Sequence, residues 1–215
     1  MNKKILICGS TPGELAAASQ LDNADTLVYG VGAFQTIYNL GKALGRQRYD
    51  FVLIAGIAGE YNSDTPLLKT YITHKTTLAD CGMESQDGGF QPIIGSRFLP
   101  ADSRPFSGGY IINAESVPIA KACGLDTAAC NTVNRISTQQ DYVEDLLKRY
   151  PANIETMESA AAAYVCAMES IRYCEIRTTS NHTIQKKQEP WMLRESLEVL
   201  EEQTKKIYNK IIEII

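Results

Sequence analysis

The residues able to do chemistry in this chain sit in four short segments and one acidic stretch. Thr11-Pro12-Gly13-Glu14, Gly30-Val31-Gly32, Gly56-Ile57-Ala58-Gly59 and Arg177-Thr178-Thr179-Ser180-Asn181 each follow or end an apolar run. In an open parallel sheet such positions lie beyond the carboxyl ends of strands, where turns expose backbone amides and side chains stand free of the core to hold a small ligand. In the fifth segment, Asn153 to Ala162, Glu155 and Glu158 flank Met157 immediately before a run of small residues. That run reads as a closely packed helix, so the pattern puts both acids at its N-terminus, where the helix dipole favours anions. Taken singly, each feature also has a plain structural reading: glycine pairs serve tight turns, and acids are common in first turns.

Other chemistries find no support. Cys8, Cys81, Cys123, Cys130, Cys166 and Cys174 are scattered, form no C-x-x-C pair, and have only His74 and His182 to assist them. Metal-ligand spacing is absent, and neither a metal, a disulfide nor a cofactor is expected. Gly30-Val31-Gly32 resembles the start of a dinucleotide fingerprint but lacks the third glycine, and Asn39-Leu40-Gly41 does not restore the spacing. A net charge of −4 supplies no counterion-release term for nucleic acid and no attraction to anionic lipid. The apolar run Ile5 to Cys8 is ended by Gly9 before a signal-peptide core could form, and no other segment approaches membrane-spanning length, so a cytoplasmic location is expected.

The elements that must position these residues follow from periodicity. At 215 residues the chain is expected to form a single domain over 1–215. Continuous apolar runs at 4–8, 26–29 and 50–55 read as buried strands. Helices are expected from Leu15 to Ala18, announced by Pro12, and from Phe34 to Leu44. Residues 67–112 alternate and are rich in Gly and Pro, so they read as strands and loops. Helical pattern returns at 115–123 and 139–149, with a strand at 126–133 between them and a last strand at 174–179. From Trp191 to Ile215 the positions Leu193, Leu197, Leu200, Ile207, Ile211 and Ile212 mark a long amphipathic helix. The fold class is therefore α/β, with a mixed, largely parallel central sheet flanked by helices.

In this order the segments resemble the nucleosidases that cleave methylthioadenosine, adenosylhomocysteine and futalosine, within the nucleoside phosphorylase superfamily. The resemblance covers nearly the whole chain, and Met157-Glu158-Ser159-Ala160-Ala161 is its most specific element. It implies a nucleoside phosphorylase-like fold, a purine nucleoside substrate and water as acceptor. By resemblance, Glu14 activates the water and Arg177 helps hold it, orienting that water or Glu14. Met157 and Glu158 pack on the ribose and bind its hydroxyls, and Gly56 to Gly59 lie beside base and ribose. Ile136 touches the base through its backbone, and Ser180 stands beside the base-reading Asn181. Relatives of this kind are dimers or larger, so a homo-oligomer is implied.

Departures sort the members. The methylthioadenosine enzymes end their last strand in Ser-Asp, whereas this chain has Ser180-Asn181. An amide offers two N–H donors, which suit N7 and a 6-oxo group, so the expected base is a 6-oxopurine. Futalosine hydrolases share the Ser-Asn ending and the Gly-Ile-Ala-Gly segment, and Ala79 to Glu84 and Thr132-Val133-Asn134 resemble theirs. The function implied is hydrolysis of futalosine to hypoxanthine and dehypoxanthine futalosine, a step of menaquinone synthesis. The alternatives are a methylthioadenosine/adenosylhomocysteine nucleosidase, a purine nucleoside phosphorylase, or a non-catalytic nucleoside-binding protein. Ser159, where the family usually has glycine, and the segment 182–187 depart from the pattern.

Overall fold

A computed structural model describes residues 3–86, 88–136, 138–184 and 190–215. Part of the departing segment, residues 185–187, lies outside them. Strands β1 (Ile5–Gly9), β2 (Ala24–Val28) and β3 (Phe51–Glu60) pair in parallel, with β1 in the middle. Helix α1 (Ala33–Arg46) connects β2 to β3. Strands β4 (Thr70–Leu78), β5 (Gly82–Glu84), β6 (Phe90–Pro92) and β7 (Ile111–Ile112) occupy the stretch read as strands and loops. Then come α2 (Ser116–Cys123), β8 (Asp126–Thr132), α3 (Gln140–Arg149), β9 (Ile154–Thr156), α4 (Ser159–Met168), β10 (Tyr173–His182) and α5 (Leu193–Ile214).

The main sheet is mixed. β3–β10, β4–β8 and β8–β9 are parallel like the β1 pairs, while β4–β10, β3–β9 and β4–β7 are antiparallel. Because β3 bonds both β9 and β10, the strands β3, β10, β4, β8 and β9 close a circuit. Alternation along the strands divides the core between two faces. Ile5, Ile7, Phe51, Leu53 and Ile176 face α2 and Leu200, Ile207 and Ile211 of α5. Leu6, Cys8, Val52 and Ile54 face Leu40 of α1 and Ala162, Ala163 and Cys166 of α4. Each such aliphatic side chain, taken out of water, contributes roughly 1.5–3 kcal/mol. Small residues on α4 let it approach the sheet closely.

Three expectations change. The helix expected from Leu15 is two short 3-10 turns, Gly13–Leu15 and Ala18–Gln20. Gly56 to Gly59 do not form a loop after the third strand: β3 continues through them to Glu60, hydrogen-bonded on both sides by β9 and β10. Likewise β10 runs on through Ser180 and Asn181 to His182, with a register shift between Thr179 and Asn181. No helix among the described residues is long and apolar enough to cross a membrane.

Candidate active site

Glu14 sits on the 3-10 turn that leaves β1 and is buried. Its Oε2 accepts hydrogen bonds from the Thr11 N–H at 2.9 Å and the Thr11 hydroxyl at 3.1 Å. Its Oε1 accepts from the Ile57 N–H of β3 at 3.1 Å. Three donors thus fix the carboxylate's orientation between two strand ends.

The glycines of β3 make room where side chains converge. A Cβ on Gly56 would lie 2.1 Å from Arg177 Nη1 and 2.9 Å from Glu14 Oε1, so only glycine lets these groups meet there. A Cβ on Gly59 would meet Glu155 Cγ at 3.2 Å and Asn181 Nδ2 at 3.5 Å.

Arg177 is fully buried and pairs with Glu175 rather than with Glu14. Its Nε donates to Glu175 Oε1 at 2.8 Å and its Nη1 to the Ile57 carbonyl at 3.4 Å. Glu175, also buried, accepts from the Ser159 hydroxyl at 2.5 Å, and that hydroxyl accepts in turn from the Thr156 hydroxyl at 2.7 Å. The residue that departs from the family glycine therefore has a buried acid as its partner. Burial opposes the charged guanidinium, but Glu175, with Tyr29, Glu158 and Glu14 nearby, holds its pKa well above the usual arginine value.

Met157 and Glu158 lie between β9 and α4. Glu158 Oε1 accepts from the Gly32 N–H at 2.7 Å, which ties the Gly30-Val31-Gly32 turn to the site. The N-terminal amides of α4 are capped by hydroxyls, not by the acids: Ser159 N donates to Thr156 Oγ1 and Ala160 N to Thr132 Oγ1. Glu155 belongs to β9, so only Glu158 stands at the helix N-terminus. Asn181 accepts the Ser180 hydroxyl on Oδ1 at 2.9 Å and donates one Nδ2 hydrogen to the His182 carbonyl at 3.2 Å. One amide N–H remains for a ligand.

These groups meet in a cleft of about 250 Å³. Glu14, Ile57, Gly59, Ile136, Met157, Glu158, Ser180 and Asn181 line it, joined by Glu155, Thr156, Val133 and Trp191, which the sequence reading left without roles. Arg177 and Gly56 do not line it; they lie beneath its floor, against Glu14. Of the two roles expected for Arg177, orienting the water or orienting Glu14, its position suits the second, because Glu175 claims its Nε and its charge. Glu175 had one legible signal: an acid two residues before an arginine on a strand shares its face. For Trp191, at the start of the last helical pattern, there was none.

Burial pushes the Glu155 carboxyl up from 4.5 to about 7; Tyr61 lowers it in part without a hydrogen bond of ordinary geometry, and Asp80 raises it. A folded value above the unfolded one means a stability contribution fully present below about pH 4.5 and lost as pH rises through about 7. That interval corresponds to about 3 kcal/mol. In urea unfolding at pH 4 and pH 8, the wild type should lose about that much more stability than Glu155→Gln. Parallel pH profiles for the two proteins would refute it.

By fold the protein is an α/β protein of the nucleosidase type. A 5′-methylthioadenosine/S-adenosylhomocysteine nucleosidase from Neisseria meningitidis, solved with methylthio-immucillin-A, superposes with a TM-score of 0.79 at 13% identity, covering 100% of both chains. The native futalosine hydrolase of Helicobacter pylori superposes with a TM-score of 0.76 at 16% identity, covering 97% of this chain and 98% of that one. The sequence model of the Phosphorylase superfamily matches residues 42–215, and the chain belongs to that superfamily. Futalosine hydrolase of Thermus thermophilus is 25% identical over 80% of this chain and 75% of its own, and that of Streptomyces coelicolor 26% over 83% and 76%.

Proposed function

We propose that the protein is a futalosine hydrolase that cleaves the bond between C1′ and N9 with water and releases hypoxanthine, as a cytoplasmic step of menaquinone synthesis. The observation that carries this is the meeting, in one cleft, of Glu14, Met157 and Glu158 with an asparagine, Asn181, at the base position. Sequence relatives named futalosine hydrolase support it. Glu14 accepts the proton of the attacking water, and Glu158 binds the ribose hydroxyls against Met157. Arg177 positions Glu14 from below, and Asn181 donates its remaining N–H to the N7/O6 edge of the departing base. Cleavage passes through a cationic sugar, and the carboxylates around the ribose favour it. They also favour water over phosphate: the lining described carries Glu14, Glu155 and Glu158 and neither lysine nor arginine, and the arginine below is neutralised by Glu175.

Incubation with futalosine, inosine and methylthioadenosine, with and without phosphate, tests this by chromatography of the free base. Hypoxanthine from futalosine without phosphate is expected. Faster release of adenine from methylthioadenosine, a phosphate requirement, or tight binding without turnover would overturn it. Asn181→Asp removes the donor to N7/O6 and supplies an acceptor for a 6-amino group. It should slow hypoxanthine release roughly 10- to 100-fold, the effect of mispairing a buried donor, while adenine release appears. Unchanged hypoxanthine release with no adenine activity would contradict this role for Asn181.

The protein is also proposed to be a homo-oligomer. Val31, at the cleft, continues into Phe34, Ile37 and Tyr38 on α1, and Phe34 is 89% exposed. A second copy would cover this apolar strip beside the substrate's 5′ side. A monomer by light scattering would count against it.

A further inference from the structure

Two segments with no part in the proposed chemistry, Ala79 to Glu84 and Thr132 to Asn134, meet where the chain leaves β8. Ala79 extends the pairing of β4 with β8: its N–H donates to the Thr132 carbonyl at 2.9 Å, and its carbonyl accepts from Arg149 Nη1 at 3.3 Å. On the other side of Asp80, the Cys81 carbonyl accepts from the Ile93 N–H at 2.9 Å. With both neighbours held, the turn aims the Asp80 carboxylate at the chain beyond β8. Its Oδ2 accepts from the backbone N–H groups of Asn134 at 2.6 Å and Arg135 at 3.3 Å, and its Oδ1 from Asn134 Nδ2 at 2.9 Å. Two successive amides that converge on one oxygen form an anion-binding concavity, filled here by the protein's own acid.

The residues on either side of this contact line the cleft, whereas Asp80 stands outside the lining. Val133 is fully buried and donates its N–H to the Thr156 carbonyl of β9 at 2.9 Å, so the sheet sets its position. Ile136 is 47% exposed and lies beyond the reach of the sheet. The Arg135 guanidinium stacks 4.2 Å from the centre of the Tyr142 ring, but that contact leaves the backbone free to turn. The bonds to Asp80 restrain the backbone itself, and hydrogen bonds to a carboxylate are about twice as strong as neutral ones. We infer that Asp80 is a positioning residue for hydrolysis: it holds the Asn134-Arg135 backbone so that Ile136 closes the cleft wall against the purine. The inference rests on the proposed reading of the substrate and of Ile136 as a neighbour of its base. Without Asp80 the three donors are left to water, which reaches them because Asn134 and Arg135 are exposed. The fold then survives, but ordering the 134–136 backbone falls to the moment of binding and costs affinity.

Calorimetric titration with hypoxanthine and steady-state kinetics with futalosine test it on the wild type, Asp80→Ala, Asp80→Asn, Ile136→Ala and the Asp80→Ala/Ile136→Ala double variant. Asp80→Ala should weaken hypoxanthine and raise KM for futalosine roughly 10-fold, the lower range for lost hydrogen bonds to a charged group. Its kcat should stay within a few fold, the signature of binding lost equally from substrate and transition state. Asp80→Asn keeps one acceptor oxygen and should fall between the two, which reads the same role independently of the alanine variant. If Asp80 acts through Ile136, the double variant should bind no more weakly than the weaker single variant, whereas independent residues would add their losses. Additive losses, an Ile136→Ala variant that binds normally, wild-type affinity in both Asp80 variants, or a fall in kcat without a rise in KM would overturn the role of Asp80. A wild type that neither binds hypoxanthine nor cleaves futalosine would overturn instead the substrate reading beneath it.

Discussion

Replacing Glu14 with glutamine is expected to lower hypoxanthine release from futalosine about 1,000-fold while leaving the affinity for hypoxanthine within a few fold. The rate loss lies within the 100- to 10,000-fold span of a positioned general base and corresponds to about 4 kcal/mol of barrier. The carboxylate's environment makes the change severe. Thr11 donates its N–H and hydroxyl to one oxygen and Ile57 its N–H to the other, so a glutamine must turn an NH2 toward one of these donors. The side chain then loses both its basicity and part of its anchorage, the latter costing about 1–3 kcal/mol of stability. Glu14→Asp separates the two losses. It keeps the charge but draws it back by one methylene, and should retain more activity than glutamine. Base affinity should survive in both variants, because Glu14 meets β3 at Gly56 and Ile57 whereas Asn181 stands beside Gly59. Near-normal turnover in Glu14→Gln, measured by chromatography of released base, would remove Glu14 from the mechanism.

What could be read from the sequence was the set of segments and their order along the chain. Buried strands announce themselves as apolar runs, and Thr11 to Glu14 or Met157-Glu158 are local enough to be read in place. Less legible was where strands stop. Gly56 to Gly59 read as a loop because glycine weakens strands, but here each glycine is demanded from across the sheet: Gly56 by Arg177 and Glu14, Gly59 by Glu155 and Asn181. That demand comes from residues 42 to 122 positions away, and no local pattern carries it. The same holds for Ser159. In the sequence it stands only as a departure from glycine, whereas in three dimensions its hydroxyl bonds Glu175, an acid that looks unremarkable within an apolar strand. Pairing across the fold explains both residues together.

That pairing makes Glu175→Ala the substitution with the largest expected cost to stability. Arg177 has no exposed surface, and Glu175 supplies the carboxylate beside it: Oε1 lies 2.8 Å from Nε and 2.7 Å from Nη2. Without it the guanidinium is left charged and buried, with the Ile57 carbonyl as its hydrogen-bond acceptor and Glu14 and Glu158 nearby, while the Ser159 hydroxyl loses its acceptor. Breaking a buried pair from one side costs about 3–5 kcal/mol, a large part of the 5–15 kcal/mol that holds a typical domain together. Urea unfolding should register a loss of that size, and a loss under about 1 kcal/mol would show that the pair does not hold the arginine. Removing both charges tells stability and catalysis apart. A Glu175→Leu/Arg177→Met double variant fills the same space with apolar groups and should recover most of the lost stability, since apolar replacement of a buried ion pair is often neutral or better. Hydrolysis should not recover with it. Glu14 would then stand beside Gly56 without the cation beneath it, its three hydrogen bonds intact but its charge and position no longer tuned from below. Restored activity in the double variant would mean that Arg177 serves only packing.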